Sequence, residues 1–194
     1  MNKNLDDINS EIINSAAVQY PGRRVVLGDG NMSSVVMLIG EAPGGDEEKQ
    51  GRPFVGKAGK NLMDFLSAVG LKREELYLSN VVKIRPYKLS SKTGQRVNRP
   101  PSREEINFFI SLLYDEIEAV KPEIIVTLGN VPLQAVLKDN KAQIGDYHGK
   151  LICLGDQKVF PLYHPAAVIY NRSLENIYYE DIEKLKGNIN QGRC

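Results

Sequence analysis

Short apolar runs recur along the chain at intervals of roughly 40 residues or fewer. VVMLIG (Val35–Gly40), LYLSNVV (Leu76–Val82) and EIIVTLG (Glu123–Gly129) have the length and composition of buried strands. KLICLG and KVFPLYHP, within residues 150–165, predict the last strands.

The segments between these runs carry helix signals. In GKNLMDFLSAVG (Gly59–Gly70), apolar residues recur at helical spacing and a glycine marks the stop. Ser102–Val120 opens with an S-x-x-E capping box, which is typical of a helix start. Shorter patterns predict helices near Leu133–Lys138 and over Leu174–Ile189.

Alternating strands and helices favour a parallel sheet with helices on both faces. We therefore predict an α/β fold: a three-layer αβα sandwich with a central, mainly parallel four-stranded sheet. The 194 residues, of which 42% are hydrophobic and 25% charged, suit a single domain over 1–194.

Distinctive polar residues lie where the predicted strands end. Glu41 follows the first strand, Asn80 lies at the end of the second, and His164 ends the last. Because parallel sheets bind ligands at the carboxyl ends of their strands, we expect these three side chains around one crevice.

The stretch GRPFVGKAGK resembles part of a phosphate-binding loop. Gly51, Gly56 and Lys57 match G-x-x-x-x-G-K, but Ala58 stands where a magnesium-binding Ser or Thr is needed. Gly51 also lies eleven residues beyond Gly40, whereas a true P-loop follows its strand directly. These departures argue against a nucleotide hydrolase, and a plain turn before a helix is the simpler alternative.

Charge and cysteine content narrow the function classes further. The net charge is +1, so nucleic-acid binding requires a local basic patch. Cys153 and Cys194 are too few for a cysteine-rich metal site, and free thiols are expected rather than a disulfide between them. The polar start MNKNLDDINSEII and the lack of an apolar run of about 20 residues predict a cytoplasmic protein without a membrane span.

Two segments together resemble the signature motifs of the uracil-DNA glycosylase superfamily: GEAPGGDEEKQGRPFVGKAG and YHPAAVIYN. The chain is most similar to the family-4 group of bacteria and archaea, and RVVLGDGN, LSNVVKIRP and NRPPSREE follow the order of that group. The resemblance implies the fold of that superfamily. It also implies a monofunctional base-excision repair enzyme that flips out and hydrolytically removes uracil from single- or double-stranded DNA. The glycines would then shape a uracil pocket.

The chain departs from family 4 at the positions of a [4Fe–4S] cluster. The resemblance places its four cysteine ligands at Ile13, Ala16, Ile84, and Phe108 or Phe109, all of which are apolar here. We therefore expect no cluster and no other cofactor, with side-chain packing in its place. The anchoring of the loop 83–101, which the cluster supports in relatives, is then left open.

The resemblance, together with side-chain chemistry, implies a role for each residue of the uracil pocket. Phe54 is expected to stack on the flipped base, and the Asn80 carboxamide to pair with N3–H and O4 of uracil. A core position and a strand-end turn are the respective alternatives. His164 is predicted to donate to O2 of the departing uracil, with a structural histidine as the alternative. His148 is predicted to lie in a loop without a catalytic role. The predicted substrate-binding residues are Gly40, Ala42, Gly44, Phe54 and Asn80.

The attacking water lacks its usual partner. Ala42 stands where better-known relatives have a water-orienting aspartate. Glu41 is the first substitute, placing water or stabilising the cationic sugar, and Glu47 is the second; solvated loop acids are the alternative for both. Some relatives trap the sugar through a histidine of the basic loop. The matching place here is near Asn98, so turnover is expected rather than an adduct.

DNA contacts are predicted in two segments. The run from Lys83 to Arg103 carries seven positive charges and no acid, which suits phosphate binding; a flexible soluble loop is the alternative. The segment 166–171 resembles the minor-groove wedge of the family, an apolar insertion that fills the gap left by the flipped base. The predicted contacts are Lys83, Arg85, Lys88, Lys92, Arg96, Arg99, Val168, Ile169, Asn171 and Arg172.

Three functions stay open at this point. The first is a monomeric uracil-DNA glycosylase that uses no nucleotide cofactor. The second is a glycosylase of the same fold for another deaminated or mismatched base, such as hypoxanthine. The third is a catalytically silent DNA-binding module. The presence of both Asn80 and His164 favours an active enzyme.

Overall fold

Strands and helices alternate as the apolar pattern predicts, in a computed structural model that describes residues 3–189. The strands are β1 (Asp29–Gly30), β2 (Val36–Gly40), β3 (Tyr77–Asn80), β4 (Tyr87–Leu89), β5 (Arg96–Asn98), β6 (Ile124–Leu128), β7 (Ile152–Leu154) and β8 (Gln157–Leu162). The helices are α1 (Leu5–Gln19), α2 (Gly45–Gln50), α3 (Lys57–Ala68), α4 (Arg103–Val120), α5 (Asn130–Leu137), α6 (Ile144–Tyr147), α7 (Pro165–Tyr170) and α8 (Glu175–Ile189).

The main sheet has six strands in the order β1-β3-β2-β6-β8-β7. Its four central strands, β3, β2, β6 and β8, are parallel, so the predicted central, mainly parallel sheet is confirmed, but the sheet has six strands rather than the predicted four. β1 and β7 add antiparallel edges. β7 runs antiparallel because a tight turn at Gly155, whose φ is +61°, leads directly back into β8.

Local capping explains where the predicted helices begin and end. At the start of α4, the Glu105 carboxylate accepts from Ser102 N–H (2.7 Å), and Ser102 Oγ accepts from Glu105 N–H (3.2 Å). This is the predicted capping box. α3 is followed by Gly70 at φ +83°, a conformation that favours glycine. The apolar pattern does not predict helices α1, α2, α6 and α7, strand β1 or the β4–β5 hairpin.

The core forms two layers, one on each face of the sheet. Leu38 packs with α3 and α8 residues on one face, whereas its β2 neighbours Met37 and Ile39 pack with α1 and α4 on the other. The strands are therefore apolar on both sides, which explains their continuous apolar runs. Because of this alternation, neighbouring residues at a strand end also point to opposite faces of the sheet.

Residues 3–189 bear on two further expectations, the lack of a membrane span and the state of the cysteines. No helix in this part of the chain is long and apolar enough to cross a membrane. Cys153, in β7, is not a free thiol, so the expectation of a free thiol is wrong there. The matching expectation for Cys194 lies outside the described residues.

Candidate active site

A cavity of about 350 Å³ opens at the carboxyl ends of β2, β3 and β8. Its volume falls within the range of small-molecule sites, about 300–1,000 Å³. Its wall includes Phe54, Asn80, Asn98 and His164. The fold thus brings together residues that are far apart in the sequence.

The glycine-rich loop forms one wall, and Glu47 braces it. The Glu47 carboxylate accepts from Gly44 N–H (3.1 Å) and from Gly56 N–H (2.8 Å). These bonds join the start of α2 to the start of α3. Although Glu47 lines the cavity, both of its oxygens are engaged in holding the loop.

Phe54 sits at the turn of this loop with an unusual backbone. Its φ is +55°, which is uncommon for a bulky residue. The Arg73 guanidinium donates to Pro53 O (2.9 Å) and to Phe54 O (3.4 Å), which holds the turn in place. The Phe54 side chain therefore belongs to the core cluster and to the cavity wall at once.

Gly40, the last residue of β2, lets two site residues approach. A Cβ at this position would lie 2.4 Å from Asn80 Oδ1 and 2.8 Å from Phe54 Cζ. Both distances are too short for any side chain, so the contact between these residues requires glycine. Of the other predicted substrate-binding residues, Ala42 and Gly44 line the cavity directly.

Asn80 ends β3 with its side chain in the cavity and only 5% exposed. Within residues 3–189, its side-chain amide has no hydrogen-bond partner. The following turn is tied to β2 by bonds from Val81 N to Gly40 O (2.9 Å) and from Val82 N to Glu41 O (3.1 Å). The Asn80 amide is therefore available to a ligand in the cavity.

His164 caps the start of α7 and is held in one tautomer. Its Nδ1 accepts from Ala166 N–H (3.1 Å), so Nε2 carries the proton and remains a donor. Burial lowers the pKa of His164, which keeps the imidazole neutral. His148 is placed differently: its Nδ1 lies 2.6 Å from Asp181 Oδ2, and it does not line the cavity.

Glu41 and Asn98 complete the polar groups near the cavity. Glu41 is half-buried, has no polar side-chain partner within 3–189, and does not line the cavity; burial raises the pKa of its carboxyl. Asn98 does line it, with Oδ1 accepting from Arg85 Nε (2.8 Å). The sequence marks Asn98 only as the place of a missing histidine, because its position in the wall depends on the β4–β5 hairpin.

Three of the basic residues predicted to contact DNA form ion pairs within the protein instead. Lys83 is 0% exposed and pairs with Glu116 at 2.5 Å, so the prediction that it contacts DNA is wrong. Arg85 pairs with Glu48 of α2 (3.1 Å) and Arg99 with Glu105 of α4 (2.7 Å). These pairs anchor the two ends of the hairpin.

The remaining basic residues of this segment stay accessible. Lys88 and Lys92 are exposed and have no ion-pair partner within residues 3–189. Arg96 is also exposed, with Glu48 3.9 Å away and its guanidinium over the Tyr87 ring. The segment is a hairpin with defined register, which is the structured alternative to a flexible loop.

In the predicted wedge, 166–171, the exposed side chain is not the expected one. Val168 is 4% exposed because it faces the core cluster from α7, so the prediction that it contacts DNA is wrong. Ile169 lines the cavity, and Tyr170 beside it is 90% exposed. Asn171 Oδ1 accepts from Ser173 N–H (3.2 Å), and Arg172 lies exposed on the same turn.

The residues at the expected cluster positions do not fit an iron–sulfur cluster. Ala16, Ile84 and Phe109 are buried in one apolar cluster between the sheet, α1 and α4. Ile13 is 46% exposed, so the expectation of core packing is wrong at that position. Within residues 3–189, no group of three or more His, Cys, Asp or Glu side chains could hold a metal.

We expect the purified protein to be colourless and free of iron. Four thiolates are needed to hold a [4Fe–4S] cluster, and the whole chain has two cysteines. Visible absorption spectra and metal analysis of protein purified without oxygen check this. Stoichiometric iron with a broad visible absorption band would contradict it.

Comparison with known proteins supports a family assignment. The model of the family described as Uracil DNA glycosylase superfamily matches residues 27–186. A type-4 uracil-DNA glycosylase of Thermotoga maritima is 41% identical over 84% of this chain and 81% of its own length. One from Archaeoglobus fulgidus is 34% identical over 94% and 92%. A type-5 enzyme of Pyrobaculum aerophilum is 33% identical over 73% and 66%.

Proposed function

The chain belongs to the uracil-DNA glycosylase superfamily, and we propose that it removes uracil from DNA by hydrolysing the N-glycosidic bond. The reaction leaves an abasic site and an unbroken backbone, as the first step of base-excision repair. The Asn80 side chain is the observation that carries this proposal, because it lines the cavity without a hydrogen-bond partner in residues 3–189 and its amide is free to pair with a base.

The target base must leave the duplex stack to reach this cavity. Flipping costs a few kcal/mol, which contacts in the pocket offset. The cavity is closed on one side by Phe54, whose ring can stack on the base. The left-handed backbone of Phe54 serves to place this ring against Gly40 and Asn80.

Asn80 selects uracil by its hydrogen-bonding edge. A carboxamide oxygen accepts from N3–H, and the amide nitrogen donates to O4. Cytosine presents the reverse arrangement, an acceptor at N3 and an amino donor at C4, so the same amide orientation cannot pair with it. The ties from the turn after Asn80 to β2 hold the backbone from which this amide extends.

His164 stabilises the leaving group. Bond cleavage builds negative charge on uracil O2, and the His164 Nε2–H is the donor aimed at that oxygen. The imidazole stays neutral and acts as a preorganised dipole. No proton needs to be transferred in the step that breaks the bond.

Polar groups near Ala42 must hold the attacking water and stabilise the cationic sugar. Glu47 lines the cavity while it braces the loop, and Glu41 lies beside Ala42 without lining the cavity; we keep Glu41 as the first choice to stabilise the cationic sugar and Glu47 as the second. Asn98 lines the cavity and has hydrogen-bonding capacity beyond the bond that its Oδ1 accepts from Arg85, and we assign it to hold the water.

DNA lies across the mouth of the cavity between the hairpin and α7. Lys88, Lys92 and Arg96 neutralise phosphates on one side. On the other side, Tyr170 is the exposed apolar side chain that fills the gap left by the flipped base, with Ile169 behind it. Arg172 continues the basic surface on that side. A monomeric state and a cytoplasmic location stay predictions.

Combined replacement of Lys88, Lys92 and Arg96 by alanine should weaken binding to uracil-containing and ordinary DNA alike. The slope of log K against log salt should flatten by up to about 0.9 for each phosphate that is no longer neutralised. Fluorescence anisotropy titrations across a salt series measure this slope. Lys72→Ala, which removes an exposed lysine before β3 at the amino end of the sheet, is the matched control. An unchanged slope in the triple variant would mean that the hairpin does not bind phosphates.

The pH dependence of excision should reflect a neutral His164. The ordinary histidine pKa is about 6.5, and burial lowers that of His164. The neutral form therefore persists as pH falls through 6.5, and the single-turnover rate should hold until a lower pH. Below that point Nδ1 gains a proton, and its bond from Ala166 N–H is lost. A rate that changes with a midpoint at or above 6.5 would contradict the assignment.

A panel of labelled oligonucleotides tests the proposed function. Strands containing uracil, hypoxanthine or a thymine mismatch are incubated with the protein, treated with alkali and separated on a gel. We expect cleavage only at uracil. Cleavage only at hypoxanthine or at the mismatch would assign a sister specificity, and no cleavage at any base would indicate a silent DNA-binding module.

A further inference from the structure

Four polar side chains form a buried network on the face of the sheet opposite the cavity. Glu116 of α4 accepts from Tyr77 O–H (2.9 Å) and from Ser79 O–H (2.8 Å). Lys83 Nζ lies 2.5 Å from Glu116 Oε2 and 2.5 Å from Ser79 Oγ. All four residues are buried. We call this set the Glu116 network.

The backbone of Gly28 packs directly against the Glu116 network. A Cβ at Gly28 would lie 2.3 Å from both Glu116 Oε1 and the Tyr77 hydroxyl, so only glycine fits. The same segment bonds to the other end of the network through Val26 N and Lys83 O (2.7 Å). The first glycine of RVVLGDGN, Gly28, is thus explained by a close approach to a buried carboxylate.

The network surrounds the position that carries Asn80. Successive residues of a strand face opposite sides of the sheet, so Ser79 points into the network and Asn80 into the cavity. Lys83 follows the turn that leaves Asn80. One carboxylate therefore holds the chain immediately before and three residues after the base-reading amide.

Stability alone is a weak reason for such a network. A buried ion pair is often no more stabilising than well-packed apolar residues of the same volume. Its fixed geometry, in contrast, limits how far the strand end can move. Site residues must be held within about 0.5 Å of their working position.

We propose that Lys83, Glu116 and Ser79 are positioning residues for uracil recognition, which fix the β3 end and the turn after it so that the Asn80 amide meets the base. This inference rests on the proposed function. It also gives Lys83 a role in the site without contact to DNA, base or sugar. Removing the network should slow excision while DNA binding and its salt dependence remain.

The test is the double variant Lys83→Met/Glu116→Gln. Glutamine keeps an acceptor for Tyr77 and a polar partner for Ser79, and methionine fills the lysine volume, so no buried charge is left unpaired. Single-turnover excision well below the melting temperature should fall by about 10- to 100-fold, as expected for a small misplacement of a recognition group. Affinity for undamaged DNA and its salt slope should stay at the wild-type values.

Tyr114→Phe is the matched control. Tyr114 lies on the same helix α4, and its hydroxyl donates to Ala135 O (2.8 Å), away from β3. This variant should lose stability but excise uracil at the wild-type rate. If the double variant does not fold, Ser79→Ala removes only the hydroxyl that links Lys83 to β3, and it should slow excision more than Tyr114→Phe does.

Excision by the folded double variant, or by Ser79→Ala, at the rate of Tyr114→Phe would overturn the proposal and leave the network a purely structural role. Loss of DNA affinity or a flatter salt slope in the double variant would also overturn it, because Lys83 would then act on the DNA. A wild-type protein that removes no uracil would overturn the proposed function itself, and this inference with it.

Discussion

Replacing His164 by alanine should slow uracil excision by about 100- to 1,000-fold, the usual cost of losing a donor to a developing oxyanion. The Nε2–H is aimed into the cavity because Nδ1 is occupied by Ala166 N–H. The donor matters most when charge has built up on O2, so base recognition in the ground state should be largely kept. Single-turnover kinetics with saturating enzyme separate this chemical step from binding.

The second histidine supplies the control. His148 pairs with buried Asp181 outside the cavity, so His148→Ala should lower the melting temperature without a comparable loss of rate. Equal rates for wild type and His164→Ala would remove His164 from the mechanism. A loss in His148→Ala as large as in His164→Ala would mean that packing around β8, rather than the donor, is being measured.

Asn80→Asp should reduce uracil excision on the order of 1,000-fold or more, because a site built to hydrogen-bond its substrate depends strongly on the matching groups. The substitution keeps the size of the side chain but replaces the donor to O4 by a second acceptor. Cytosine offers an amino donor on the same edge, so the variant should gain weak cytosine excision.

Single-turnover assays on matched uracil and cytosine oligonucleotides measure both changes. Asn107→Asp, on the outer surface of α4, is the control for adding a negative charge to the protein. Uracil excision by Asn80→Asp at the wild-type rate would show that another group reads the base. A uniform loss on every substrate together with a lower melting temperature would point to misfolding instead.

The parts of the site that lie at strand ends can be predicted from the sequence. Asn80 and His164 follow apolar runs, and a parallel sheet places such ends at one edge whatever the loops do. The Ser102 capping box and the Gly70 stop are equally local signals, and the structure has both. Short-range patterns of this kind do not depend on packing far along the chain.

Features that depend on tertiary packing escape sequence patterns. Lys83 looks like its basic neighbours in the sequence, but the Glu116 carboxylate that buries it comes from a helix 33 residues away. Val168 and Tyr170 lie on opposite sides of the short helix α7, one buried and one exposed. Contact between α7 and the core decides which side of the helix faces inward. Asn98 reaches the cavity only because the hairpin is fastened to α2 through Arg85.

The most direct test is to identify the products formed from an oligonucleotide with one uracil. The protein is incubated with this strand, without alkali, and the mixture is analysed by mass spectrometry. We predict free uracil and a full-length strand carrying one abasic site, formed over many turnovers, with no product from the same strand containing thymine. An unchanged uracil strand, a strand cut at the uracil, or a covalent protein–DNA adduct would contradict hydrolytic uracil removal by this site.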